Sequence, residues 1–339
     1  MSNQSDNATP QSQTTRKNWV DWIRALAMLF VIYGHCFPEH LTSFVYSFNV
    51  AVFFFISGYL MKFATKDDHF WKKLFITLTV PYLILATVKA LPHIFSAHGG
   101  TTALAILTGF HSIGDIAGCN KLWFVYTLIL VKIIVHLFGQ SGKSRCILLL
   151  LSIVGAIVYN ILHIDIAWSV TNMFLAMPFF LFGGVCRTSD IFNNICNIIT
   201  RLSNYQTVMI VVVLVLITYV ISFYNDTAYL YRALYGHNIL LFALSAVAGI
   251  SFLIIVSLRL DTVKSKAVIL IANGNIVILT FHQEINHALL KIIYKQEWGS
   301  ILTDFSTFVV SILTLLAFVP IILVLKRYCP ILIGMRRAA

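Results

Sequence analysis

The chain has 339 residues, of which 59% are hydrophobic and only 11% are charged. A soluble domain carries about 25% charged residues and about 45–50% apolar ones, so the composition excludes soluble, fibrous, disordered and disulfide-framework proteins. The net charge of +11 is typical of a membrane protein with Lys and Arg in its cytoplasmic loops, and we expect no nucleic-acid partner. Because a bilayer core takes about 20 apolar residues per helix, we predict an all-α polytopic membrane protein with about ten transmembrane helices.

The amino-terminal segment is polar and low in complexity, which predicts a disordered cytoplasmic N-terminus over residues 1–16. The apolar run 19–37 comes next. It is too long for the core of a signal peptide, and no small-residue cleavage site follows it, so we expect a retained first transmembrane helix. A transmembrane domain over residues 17–326 and a basic cytoplasmic tail over 327–339 complete the expected organisation.

Ten apolar runs have the length of a transmembrane helix. They are 19–37, 44–62, 72–91, 121–139, 146–165, 168–186, 206–224, 235–257, 267–291 and 301–325. The stretch 101–118 is only mildly apolar, and its glycines, His111 and Asp115 predict a loop or a re-entrant stretch. The six cysteines are scattered without CxxC or metal-ligand spacing, so we predict no metal site.

The positive charges divide unequally between alternate loops. Seventeen Lys and Arg residues fall in one set of loops and termini, and five fall in the other. Lys and Arg concentrate on the cytoplasmic side of membrane proteins, so both termini are predicted to be cytoplasmic.

The first predicted helix carries three ionisable side chains, Asp21, Arg24 and His35. An ionisable group inside a span costs about 2.5–3.5 kcal/mol, so each is a candidate for function. Asp21 and Arg24 are three residues apart and can pair on one helix face. Arg24 and His35 lie within about 20° of one helix stripe, about 16 Å apart along the axis.

Two early segments carry distinctive motifs. DWIRALAMLFVIYGHC contains Arg24, then ten residues, then His35. FFFISGYL, over 53–60, contains Ser57, Gly58 and Tyr59.

Two later segments continue the series. KLWFVYTLIL, over 121–130, contains Trp123, and NGNIVILTFHQ, over 273–283, contains Asn275 and His282. In this order the four segments resemble the first-helix, second-helix, fourth-helix and late motifs of the membrane acyltransferase-3 family, over about residues 17–325.

The resemblance implies a stand-alone O-acyltransferase of envelope glycans in the bacterial inner (cytoplasmic) membrane. Such an enzyme moves an acyl group, usually acetyl, from acyl-CoA to a sugar hydroxyl, so acetyl-CoA or another acyl-CoA is a donor substrate and no cofactor is permanently bound. The expected partners are the donor, a glycan or sugar acceptor and the lipid bilayer. The candidate site residues are His35 and His282 for catalysis, Arg24, Lys72 and Lys73 for donor binding, and Asp21, Ser57, Tyr59, Trp123 and Asn275 for substrate binding.

The basic pair is a departure from the family pattern. Relatives often carry an RxxR pair where this chain has Lys72 and Lys73, and Lys lacks the bidentate fork with which Arg grips phosphate.

Acyl transfer to an alcohol needs a base, because free hydroxyls are poor nucleophiles at neutral pH. His35 has the most suitable intrinsic pKa among the candidates. Counting along a straight helix from Lys266 places His282 about 24 Å from the cytoplasmic side, at the depth of His35, where it could orient His35, hold the acceptor or cap a polar pocket. Glu284 is interpreted as an interfacial charge near the outer end.

The remaining polar and aromatic candidates leave alternatives open. Ser57 lies in no GxSxG elbow, and a Ser-Gly pair also permits close helix packing. A role of Ser57 in packing or substrate contact is therefore preferred to a role as nucleophile. For the same reason, direct transfer is preferred to a mechanism with an acyl-enzyme. Trp123, Tyr126 and Tyr59 could form a sugar platform.

Two other functions compete with acyl transfer. A transporter or flippase of a lipid-linked glycan also needs about ten spans, but it predicts polar residues in many helices, whereas here they concentrate in the first and ninth. A membrane adaptor or sensor leaves Arg24 and His35 without a purpose.

Overall fold

The computed structural model describes residues 17–63, 69–95, 99–108, 122–162, 169–294 and 300–335. Every regular element in these ranges is helical, without a strand. The helices are α1 (Asn18–Gly34), α2 (Thr42–Tyr46), α3 (Ala51–Leu60), α4 (Phe70–Leu74), α5 (Val80–Ile94), α6 (Gly99–Thr108), α7 (Trp123–Phe138), α8 (Gly142–Leu162), α9 (Val170–Thr188), α10 (Asp190–Arg201), α11 (Asn204–Asn225), α12 (Ile239–Arg259), α13 (Lys266–Asn273), α14 (Asn275–Tyr294) and α15 (Ser300–Tyr328). The predicted disordered segment 1–16 lies outside the described residues, as does part of the predicted tail, 336–339.

Seven helical stretches of the described chain are long and apolar enough to cross a membrane, and an eighth crossing results if one bent helix pair counts as a single span. Each of the ten predicted spans contains helix in the structure. The spans predicted at 19–37 and 121–139 correspond to α1 and α7, which have only 17 and 16 residues. The all-α, multi-pass architecture is therefore confirmed, with seven or eight candidate spans.

Two local predictions need correction. Within the stretch 101–118, predicted as a loop or a re-entrant segment, residues 101–108 belong to helix α6, so the loop alternative is wrong for them, and the re-entrant alternative stays a prediction. The rest of the stretch, with His111 and Asp115, lies outside the described residues. The single span predicted at 267–291 is instead two helices, α13 and α14, which meet at Gly274 with a bend of 92°. A Cβ at Gly274 would lie 2.3 Å from the Ile322 side chain, so this glycine lets α15 pack directly against the bend.

Helix α1 lies at the centre of the bundle. It packs against α2, α3 and α12 to α15, and most of its residues are buried. By contrast, only 11% of the apolar window of α8 and 17% of that of α11 are buried. Apolar side chains so exposed need a hydrophobic solvent, so α8 and α11 lie at the lipid-facing surface and α1 lies away from it.

Helices α3 and α9 approach each other through two glycines. A Cβ at Gly58 would lie 1.8 Å from the backbone oxygen of Phe180, and one at Gly183 would lie 1.9 Å from that of Phe55. Small residues at helix interfaces let backbones come this close in membranes. The packing interpretation of the Ser-Gly pair therefore describes Gly58, the residue after Ser57.

One end of the bundle gathers the Lys- and Arg-rich segments, and we call it the basic end. Asn18 Nδ2 donates to the backbone oxygens of Asp261 (2.7 Å) and Val263 (2.9 Å). Arg187 donates to the backbone oxygen of Leu60 at 3.0 Å, and Arg259 to that of Leu202 at 3.1 Å. The start of α1 and the loops after α3, α9, α10 and α12 thus meet at one end, as the alternation of charged loops predicts.

The opposite end is closed by contacts among less basic segments. The Asp304 carboxylate accepts hydrogen bonds from the backbone N–H groups of Glu39 (2.6 Å) and His40 (3.2 Å). Ser43 and Thr227 share a hydroxyl hydrogen bond of 2.7 Å. These contacts tie the segment after α1 to α15 and to the loop after α11.

Candidate active site

A cavity of about 1100 Å³ runs through the bundle beside α1. At one end its wall contains Lys62 and Lys73, from the basic end. At the other end it contains His35 and Tyr46, next to the segment after α1. Arg24 lies on the same wall, about 16 Å along α1 from His35. One continuous space therefore joins the two candidate groups of α1.

The two candidate histidines form a hydrogen-bonded pair. The distance from His35 Nδ1 to His282 Nε2 is 2.8 Å. His282 Nδ1 lies 2.9 Å from the backbone oxygen of Ile278 and 3.1 Å from that of Leu279. Carbonyl oxygens only accept, so His282 Nδ1 carries the proton and its Nε2 is the acceptor. His35 Nδ1–H therefore donates to His282, which leaves the lone pair of neutral His35 on Nε2.

His282 is held in place by a buried polar layer. It is fully buried and does not line the cavity. One turn further along α14, Asn286 donates to the backbone oxygen of Ile32 at 3.3 Å and accepts from Thr314 Oγ1 at 2.7 Å. Buried polar groups satisfied in this way fix one arrangement of the surrounding helices, so α14 is fixed against α1 and α15 where the histidines meet.

The predicted depth of His282 rested on a straight helix, and the 92° bend at Gly274 makes that estimate of about 24 Å wrong. The hydrogen bond to His35 nevertheless places the two side chains at the same level.

Other predicted residues also lie on the cavity wall. Ser57, Trp123 and Asn275 line the cavity. Asn275 Nδ2 makes a long contact of 3.5 Å with the backbone oxygen of Arg24. Its buried Oδ1 has no hydrogen-bond partner among the described residues. This wall therefore offers a hydroxyl, an amide and a guanidinium to a bound molecule.

The basic end of the cavity holds several cationic or titratable side chains. Lys73 lines the main cavity, while Lys72 lines a neighbouring cavity of about 350 Å³. The main cavity also contains Lys132, whose ammonium group lies 5.7 Å from the centre of the Phe180 ring. His136, one turn along α7, stacks on Phe70 with 3.7 Å between ring centres. This end therefore suits a polyanion.

Three predicted contact residues lie apart from the cavity wall. The hydroxyl of Tyr59 accepts a hydrogen bond of 2.9 Å from Lys17 Nζ, and its ring packs on Trp19. Asp21 is buried in the first turn of α1. The hydroxyl of Tyr126 donates to the backbone oxygen of Leu107 at 2.9 Å.

Glu284, which the sequence indicated as an interfacial charge, forms an ion pair with Lys89.

Several residues of the cavity wall are not among the residues predicted from the sequence. Lys132 falls inside the predicted span 121–139, and an ionisable group within a span is the signal that identifies it. Tyr46, Tyr229 and Tyr231 also line the cavity, but nothing in their sequence neighbourhood distinguishes them from other aromatic residues of a membrane protein.

The sequence model of the acyltransferase domain matches residues 17–327. No curated protein and no solved structure matches the chain. The match covers almost the whole chain, including every α-helix that lines the cavity, and it confirms the resemblance seen in the four motifs. The chain therefore belongs to the acyltransferase 3 family and is a multi-pass membrane acyltransferase.

Proposed function

We propose that this protein transfers an acyl group from acyl-CoA, with acetyl-CoA as the expected donor, to a hydroxyl of a cell-envelope sugar or polysaccharide at the bacterial cytoplasmic membrane. The observation that carries the proposal is the 2.8 Å His35–His282 hydrogen bond at the wall of a cavity whose other end is basic. A base and an anion-binding region in one space are what transfer from an acyl-CoA to an alcohol needs.

His35 is the proposed general base. Its Nε2 takes the proton of the acceptor hydroxyl as the oxygen attacks the thioester carbonyl carbon. The new C–O bond forms, the C–S bond breaks, and the thiolate of CoA leaves and takes up a proton. His282 accepts from His35 Nδ1–H throughout, so it fixes the tautomer and stabilises the imidazolium that forms.

The donor is proposed to enter from the basic end. CoA carries several phosphates, and Lys73, Lys132 and Arg24 offer cations along the wall. The distance of about 16 Å between Arg24 and His35 is comparable to an extended pantetheine arm, so phosphates held near Arg24 leave the thioester near His35. Direct transfer needs no acyl-enzyme, so Ser57 on the cavity wall is assigned to substrate contact and Gly58 to helix packing.

Mass spectrometry of envelope glycans tests the proposal. Cells with the gene are compared with cells without it and with cells that carry His35→Ala. We expect one acetyl unit on a glycan in the first strain only, because His35→Ala removes the base. His287→Ala is the matched control, since His287 is exposed on α14 and does not line the cavity.

Membrane levels of each variant are measured by immunoblot. Removing an imidazole from a span lowers the cost of insertion, so His35→Ala should insert normally. Full glycan acetylation by a normally inserted His35→Ala protein would exclude His35 as the base.

A further inference from the structure

Three tyrosines form a cluster beside His35 at the end of the cavity away from the basic end. The rings of His35 and Tyr46 are 6.3 Å apart, those of Tyr46 and Tyr229 are 5.6 Å apart, and those of Tyr229 and Tyr231 are 6.1 Å apart. Each pair is edge-to-face, and all four residues line the cavity. The ring planes of Tyr229 and Tyr231 differ by 87°, so the cluster presents aromatic surfaces in several directions next to the proposed base.

Two of the tyrosines belong to a loop whose ends are joined through one residue. Asn225, at the end of α11, donates from Nδ2 to the backbone oxygen of Tyr235 at 2.6 Å. Its Oδ1 accepts a hydrogen bond from the backbone N–H of Asn238 at 2.7 Å. Its backbone oxygen accepts one from the backbone N–H of His237 at 2.7 Å. Three hydrogen bonds from one buried residue thus close the loop over 226–238.

The loop adopts uncommon backbone conformations. Asp226 has φ +62°, Ala233 has φ +50° and Gly236 has φ +75°. A Cβ at Gly236 would lie 2.1 Å from the Asn225 backbone oxygen, so only glycine fits there. Non-glycine residues at positive φ persist where surrounding contacts hold them, and they cluster at ligand sites. The strained, closed loop is therefore a rigid support for Tyr229 and Tyr231.

The chemistry of this cluster differs from that of the basic end. An aromatic face is electronegative and attracts polarised C–H groups, which a pyranose ring presents on one face. Among the described residues, the hydroxyls of Tyr46 and Tyr229 have no hydrogen-bond partner, so they can bond sugar hydroxyls. The Arg232 guanidinium lies 5.2 Å from the centre of the Tyr231 ring, which holds that ring in place.

We propose that Tyr46, Tyr229 and Tyr231, supported by Asn225, form a binding site for one pyranose ring of the acceptor and hold a ring hydroxyl at His35. This inference rests on the proposed function and deepens it, because it assigns the acceptor to a built site and its class to hexopyranosides. It separates the two substrates in space, with the anionic donor at the basic end and the sugar at the tyrosine cluster.

Saturation-transfer NMR on the full chain in nanodiscs tests the site, with methyl hexopyranosides as probes. We expect saturation on the C–H protons of one ring face in the wild type, a loss of about tenfold in Tyr229→Ala, and retention in Tyr229→Phe, which keeps the aromatic face. Tyr205→Ala is the control, because Tyr205 is exposed at the start of α11 and does not line the cavity. Asn225→Ala should weaken the signal as well, since it releases the loop.

Acetyl-CoA turnover by the same samples separates this inference from the proposed function. Tyr229→Ala should raise the KM of the acceptor about tenfold and leave that of acetyl-CoA unchanged. If the wild type consumes acetyl-CoA but shows no saturation transfer to any glycoside, the acceptor site is overturned and the acyl transfer stands. Equal signals from wild type and Tyr229→Ala would overturn it too. Full turnover by His35→Ala would instead overturn the proposed function.

Discussion

At the scale of single residues, one buried hydrogen bond determines which nitrogen of His35 faces the chemistry. His282 Nδ1 lies within hydrogen-bond distance of two backbone oxygens, so His282 can only accept from His35. The partner of a catalytic histidine acts through orientation and tautomer rather than by taking the proton itself. We therefore propose that His282 is a positioning residue, which is one of the three roles that its sequence position left open.

His282→Ala should lower kcat by about 10²-fold and leave the KM of acetyl-CoA unchanged, because His282 does not line the cavity. A residual rate should remain, since His35 keeps its place at the end of α1. His282→Gln should recover part of the loss, because an amide oxygen can accept from His35 Nδ1–H. Steady-state kinetics in nanodiscs measures both parameters. An unchanged kcat in His282→Ala, or a change in KM alone, would contradict a positioning role.

Lys132→Met should raise the KM of acetyl-CoA about tenfold with little change in kcat, because it removes a charge that can bond phosphate and keeps a similar length. Lys132 lines the cavity at the basic end. Lys291→Met is the matched control, since Lys291 is exposed on α14. Isothermal titration with CoA gives a second measure. Equal CoA affinity in wild type and Lys132→Met would remove Lys132 from the donor site.

Arg24 and His35 could be identified from the sequence because their ionisable groups stand out in an apolar helix and their spacing places them on one stripe. The tyrosine cluster had no such signal. Tyr229 and Tyr231 reach the cavity because Asn225 folds the loop back on itself, and a contact of this kind is decided by tertiary packing.

At the scale of the helices, length and hydropathy located the spans but not their shape. The run 267–291 has the composition of one span, yet the chain turns by 92° at Gly274. A glycine costs a helix only about 1 kcal/mol, so a single one does not predict a bend. The contact between Gly274 and Ile322 comes from the packing of α15, which the local sequence does not show.

Gly58→Ala should lower the unfolding temperature of the purified protein, because its Cβ would meet the Phe180 backbone oxygen at 1.8 Å. Overpacking of this kind costs about 1–3 kcal/mol, and neither backbone can move without separating α3 from α9. Gly100→Ala is the matched control, since nothing lies within 4 Å of its Cβ. Thermal unfolding followed by size-exclusion chromatography measures the shift. Identical unfolding temperatures for the two variants would contradict the close approach of α3 and α9.

At the scale of the whole molecule, the end of the bundle that gathers the basic segments is also the end where cationic side chains line the cavity. The segments predicted to be cytoplasmic meet at the basic end, where Lys62, Lys73 and Lys132 line the cavity. His35 and the tyrosines line the other end. If the positive-inside rule orients the protein, the donor enters from the cytoplasm and the acceptor from outside, and the acyl group crosses most of the membrane on the pantetheine arm.

Sealed membrane vesicles test this orientation. Inverted vesicles, with the cytoplasmic face outward, should consume added acetyl-CoA, because the basic end of the cavity faces the donor. Right-side-out vesicles should not, since the polyanionic donor cannot cross the bilayer. The same right-side-out vesicles, loaded internally with acetyl-CoA, should acetylate an external acceptor. His35→Ala vesicles of both kinds are the control for leakage and for other acetyl-CoA-consuming enzymes. Acetylation confined to an acceptor on the cytoplasmic side would contradict transfer through the membrane, because both substrates would then enter at the basic end.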